Sequence, residues 1–149
     1  MPKKIADRSE IRKNSRILTK AEMREWLEIT AMRQGVAFSA AQFRQTLLEN
    51  LPKESEYQAE VMEAIRGNFP SSFVWKAAAG PYSRQGIPDV CAVIDGRFFG
   101  FEIKRPYIGQ LSKIQEQTIK AIQRAGGIAA VVSFGEDAVK IIKNAEVQK

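Results

Sequence analysis

The chain has 149 residues, 44% hydrophobic and 27% charged, enough for one domain with a real core and perhaps an added segment. With no histidine, His general bases, His metal sites and Ser-His or Cys-His nucleophiles are excluded, so any metal must be a hard one on oxygen ligands. The single cysteine, Cys91, makes no intramolecular disulfide and reads as a buried small hydrophobe.

The net charge of +6 is uneven. Residues 1–20 hold seven basic side chains (Lys3, Lys4, Arg8, Arg12, Lys13, Arg16 and Lys20) against Asp7 and Glu10, leaving 16 against 15 in the other 129 residues. Residues 1–18 therefore read as a basic flexible arm, either a nucleic-acid contact or a solvated tail. Thr19-Lys20-Ala21-Glu22 is a capping box opening a helix to about residue 34, with Met23, Trp26, Leu27 and Thr30 as its buried stripe. Gly35 ends it, and Ser39-Ala40-Ala41-Gln42 opens a second helix with Phe43, Leu47 and Leu48 inward. Residues 19–50 thus form a helical hairpin extension, either a helix-turn-helix or a packing or dimerisation hairpin.

Leu51-Pro52 breaks the chain, and residues 51–149 read as the main domain. A helix is expected over 53–66, a strand over 73–77, a polar Gly-rich loop over 80–86, strands over 90–94 and 98–104, a helix over 112–124, a strand over 128–133 and a helix over 136–144. The predicted class is α/β, in the order αβββαβ followed by a last helix.

The central hairpin carries the chemistry. Asp95-Gly96 is a two-residue type I′ turn signal, which pairs Ile94 with Arg97 and sets Asp89 opposite Glu102. Strand alternation then puts Asp89, Glu102 and Lys104 on one face, beside the small or apolar Cys91, Val93, Phe98 and Gly100. Opposed β-carbons lie roughly 4.5–5.5 Å apart and like charges there repel, so a divalent cation on oxygen ligands is the natural compensation. In the helix over 53–66, Tyr57, Val61, Ala64 and Ile65 form the apolar face and Glu56, Glu60 and Glu63 point to solvent. Glu54 falls within the apolar stripe, either as a third carboxylate of the site or as a first-turn acid facing the helix dipole. Gln115 is either the far half of a Ser112 capping box or an inward site residue. The loop over 80–86, with Tyr82, Ser83 and Arg84, either grips a backbone or is only a turn.

These residues resemble the PD-(D/E)xK nuclease superfamily and, within it, the VRR-NUC (virus-type replication-repair nuclease) family. The matching stretches are Glu54-Ser-Glu-Tyr-Gln58, Gly86-Ile-Pro-Asp-Val90, Gly96-Arg97, Phe101-Glu-Ile-Lys-Arg-Pro106, Gly109-Gln-Leu-Ser-Lys-Ile-Gln115 and Ala125-Gly-Gly-Ile-Ala-Ala-Val-Val132. The resemblance implies a restriction-endonuclease-like core, a mixed sheet flanked by helices, and metal-dependent hydrolysis of DNA phosphodiesters. It implies that Asp89, Glu102 and the Ile103 backbone carbonyl hold Mg²⁺ or Mn²⁺, that Lys104 activates water and stabilises phosphate charge, and that Glu54 and Gln115 complete the site.

Similarity to stand-alone family members, homodimeric resolvases of four-way junctions, adds a homodimer and a branched or duplex DNA partner in replication, recombination or repair, with no small-molecule cofactor. Lys76, Tyr82, Ser83, Arg84, Arg105 and Lys113 are the DNA-contact candidates. With no membrane span or leader pattern, a cytoplasmic bacterial or phage setting is expected. The rival readings are a nuclease of flaps, ends or plain duplex, and a DNA-binding protein that does not cut.

Overall fold

The computed structural model describes residues 4–78 and 80–147. It divides into two compact units: residues 1–52 with 106–108, and 53–105 with 109–149. Lys3, one of the seven basic residues near the start, lies outside the described residues, as do residues 148–149.

The first unit is helical: α1 (Arg8–Asn14), α2 (Lys20–Arg33) and α3 (Ala40–Asn50). The Thr19 hydroxyl and the Glu22 carboxylate exchange hydrogen bonds with each other's backbone N–H, the reciprocal box the sequence signals. Ile5, Ile11, Met23, Leu27, Ala31, Phe43, Leu47, Leu51 and Ile108 form its core, with Trp26 and Tyr107 packed against it.

Three expectations are corrected here. Residues 5–15 are not a flexible arm. Asp7 caps α1, and Ile11 is fully buried. Arg8 and Arg12 donate to the Glu49 and Asn50 carbonyls, which α3 leaves unpaired at its C-terminal end. Leu48 is 39% exposed rather than inward, and the stripe of α2 takes in Ala31. Leu51 belongs to this core, so the break acts at Pro52 rather than before it.

The second unit runs α4 (Glu54–Asn68), β1 (Phe73–Lys76), β2 (Val90–Ile94), β3 (Arg97–Ile103), α5 (Lys113–Arg124), β4 (Ile128–Val132) and α6 (Gly135–Val147). Strand order is β1-β2-β3-β4, with β1–β2 and β2–β3 antiparallel and β3–β4 parallel. The parallel pair needs a crossover, which α5 supplies. This is the expected α/β class in the αβββαβ order, with a mixed sheet flanked by helices.

Asp95 (φ 50°) and Gly96 (φ 78°) both take the left-handed conformation, so the turn fixes the register: Ile94 faces Arg97 and Val90 faces Phe101. One face of the sheet (Val90, Ala92, Ile94, Phe99, Phe101, Ile103 and Val132) is buried under Tyr57, Val61 and Ile65 of α4 and Ala138, Ile142 and Ala145 of α6. The other face carries Asp89, Cys91, Phe98, Gly100 and Glu102, and α5 packs over its β3–β4 side.

Glu60 is a further correction. It does not face solvent: its Oε2 accepts from the Gly135 N–H at 2.7 Å, filling an open donor at the start of α6.

Candidate active site

The acid pair sits where β2 begins and β3 ends. Continuing the β2–β3 register one step past Val90–Phe101 places Asp89 against Glu102. The neighbourhood is built to let them approach. A Cβ at Gly100 would lie 2.9 Å from the Pro88 ring, so the bare strand at Gly100 is what admits Pro88 and, after it, Asp89. The Asp89 backbone is held by Ala77, whose N–H donates to its carbonyl at 2.9 Å. Its side chain is fixed by the Ile103 N–H, which donates to Oδ2 at 2.8 Å.

Glu102 is 1% exposed. Its Oε1 accepts from Gln115 Nε2 at 2.7 Å and lies 3.8 Å from Lys104 Nζ. Its Oε2 is buried and has no hydrogen-bond partner among the described residues. Burial, then the Asp89 carboxylate, push the Glu102 carboxyl up to about 8 against the pull of Lys104, with a last upward push from Glu54. Without a cation, Glu102 therefore keeps its proton at neutral pH. Cys91, directly beneath, is buried, and its thiol is pushed up to about 11 by burial, then by Asp89 and Glu102. It is therefore neutral and inert.

The donor set fits a hard divalent cation: two convergent carboxylates, a buried oxygen with an open lone pair and no nitrogen ligand. Among the described residues no group of three or more His, Cys, Asp or Glu is arranged to hold a metal. Glu54 thus stands close enough to act on Glu102 electrostatically but does not close a three-carboxylate cluster.

Gln115 fills both of the roles the sequence left open. Its Oε1 accepts from the Ser112 N–H at 3.0 Å and its N–H from the chain donates to Ser112 Oγ at 3.2 Å, completing the capping box. Its Nε2 is thereby left to hold Glu102. Gly86, at φ 82°, lets the β1–β2 loop touch α5. A Cβ there would lie 2.5 Å from Ile114 Cγ2 and 2.7 Å from Thr118 Oγ1. Lys104 stays tied to the sheet through its N–H to the Val132 carbonyl and its carbonyl to Ser133 Oγ.

Of the DNA-contact candidates, Ser83 and Arg84 line a groove of about 230 Å³ together with Gly80, Gln85, Gly86 and Asp89. Tyr82 is fully exposed at the same loop, and Lys76 and Lys113 are exposed. Arg105 is half-buried with its Nε shielded from solvent. Cys91 is buried on the face of the acid pair, as strand alternation predicts for a small hydrophobe between Asp89 and Val93.

No protein-family model and no curated protein matches the chain. A solved structure described as a VRR_NUC domain is similar at 19% identity and a TM-score of 0.46, covering 58% of this chain and 95% of that one.

Proposed function

We propose that the second unit is a metal-dependent DNA endonuclease, selective for branched DNA and acting as a homodimer. The observation that carries the reading is Glu102: a fully buried acid, placed beside a second acid, with one oxygen left open. A protein that only binds DNA gains nothing from setting two acids opposite each other near phosphates. Asp89, Glu102 and the Ile103 carbonyl would hold Mg²⁺ or Mn²⁺, which when bound supplies Lewis-acid stabilisation of phosphate charge and a more acidic water. Gln115 and the Ile103 N–H keep the two carboxylates aimed at the same point. Lys104, next to Glu102 and still 16% exposed, faces the incoming phosphate with a positive charge that orients water and stabilises the anionic transition state. Junction selectivity and pairing of two copies rest on the motif resemblance and on the fit of two-fold paired sites to a two-fold branched substrate.

The test is cleavage of labelled four-way junction, flap, single-stranded and duplex DNA with Mg²⁺ or Mn²⁺, with Asp89→Ala and Lys104→Ala in parallel. Metal-dependent cutting lost in both variants is the expected result. Tight DNA binding with no cutting under any metal overturns it and leaves a binding protein.

A further inference from the structure

We propose that Phe73, Trp75 and Phe98 form a stacking platform for unpaired nucleobases beside the acid pair, an inference that rests on the nuclease reading and names its substrate class. Register brings the three together: Phe73 pairs with Val93 and Trp75 with Cys91 across β1–β2, and Val93 pairs with Phe98 across β2–β3. All lie on the sheet face that carries Asp89 and Glu102. Asp89 is two residues along β2 from the Trp75 partner, about 7 Å.

The opposite face is sealed by α4 and α6, whereas here α5 covers only the β3–β4 side. Phe73 is left 69% exposed and Val93 38% exposed, with Trp75 and Phe98 half-buried. Ring centroids lie 5.5 Å apart for Phe73–Trp75 and 6.3 Å for Trp75–Phe98, with planes inclined 50° and 58°. The rings fan across the strands rather than stacking on one another, so their faces stay available.

Two features choose the occupant. The exposed patch is aromatic, and flat π-faces suit bases, each of which offers one whatever its sequence. Its position also suits a nucleic-acid strand: Trp75 lies opposite Cys91, two residues along β2 from Asp89, so a base stacked on the platform sits beside the acid pair. A duplex hides its base faces inside its own stack. A platform at this position therefore selects DNA whose bases next to the cut are already unpaired: single strands, flaps and the splayed arms of junctions.

The test is done in chelator, where binding is read without cutting. The chain has two tryptophans, so Trp26→Phe leaves Trp75 as the sole reporter. Titration with oligo(dT) is expected to quench Trp75. Anisotropy with labelled oligo(dT) is expected to show roughly fivefold to hundredfold weaker binding for Phe73→Ala and for Trp75→Ala, restored in Trp75→Phe, with duplex affinity unchanged. Phe73 is mostly exposed, so its truncation leaves the fold intact. Absence of quenching with unchanged affinity overturns the platform, as does equal weakening for duplex. Sedimentation in which Phe73→Ala and Trp75→Ala split a dimer while oligo(dT) affinity holds also overturns it, because the face then belongs to a second copy. A chain that binds through Trp75 but never cuts keeps the platform and loses the nuclease. A chain that cuts equally well without the rings keeps the nuclease and loses the platform.

Discussion

At Glu102 two demands on one residue conflict, and the conflict has a measurable consequence. In the unfolded chain its carboxyl ionises near 4.5, and in the folded chain without a cation it ionises near 8. Between those values the folded chain keeps a proton that the unfolded chain has released, so this group's contribution to stability falls as pH rises from about 5 to about 8 and levels off beyond. In chelator, the Tm of the wild type is expected to drop across that window relative to Glu102→Gln, which cannot ionise, and the variant is expected to be the more stable of the two at pH 8. Parallel Tm profiles for the two proteins would show that Glu102 titrates normally. The acid pair itself was legible in the sequence because Asp95-Gly96 dictates a turn, the turn dictates the register, and the register dictates who faces whom. The second role of Gln115 was only half legible. The capping box is a local signal, but the reach of its amide nitrogen to Glu102 depends on where α5 lands on the sheet, which no local pattern encodes.

Among the elements, α5 and α6 are anchored at their starts in different ways, and each way can be tested. Ser112→Ala removes only the hydroxyl that receives the Gln115 N–H, at a cost of about 1 kcal/mol. Gln115→Ala removes the return bond and the bond to Glu102 together, about 1–2 kcal/mol more. Urea unfolding followed at Trp75 should rank them in that order. If the Gln115–Glu102 bond positions the acid, cutting should slow in Gln115→Ala and not in Ser112→Ala.

For α6 the anchor is Glu60 of another helix, 75 residues away in sequence. Glu60→Ala is expected to cost about 1 kcal/mol in urea unfolding, and Glu60→Gln, which keeps an acceptor, to recover most of it. Equal losses in both would show that the charge rather than the acceptor matters. Helical periodicity placed Glu60 on the polar side of α4 and was blind to this role, because periodicity sorts residues by burial and knows nothing of a neighbouring helix end.

Across the whole molecule, sequence order and spatial grouping part company. The division near Leu51-Pro52 was readable from the proline, but nothing in the sequence marked residues 106–108 as members of the first unit. The same reading took the basic start for an arm, because clustered charge near a terminus looks solvated until the helix end it caps is known. Tyr107 shows what the short segment contributes. Its hydroxyl lies within hydrogen-bond distance of two carbonyls, Ser15 at 3.1 Å and Leu18 at 2.6 Å, in the link between α1 and α2. Both carbonyls lie outside the two helices, and Tyr107 meets them from a backbone at φ 67°, a conformation costly for an aromatic residue. A strained residue persists only where its surroundings over-determine it. Tyr107→Phe, which keeps the ring and removes the donor, is therefore expected to lower the stability of the first unit by about 1–2 kcal/mol. In a Trp75→Phe background, Trp26 reports that unit alone, and its urea midpoint should fall. An unchanged midpoint would mean that water serves those carbonyls as well as the hydroxyl does, and that packing of the ring, not its hydrogen bonding, holds residues 106–108 in place.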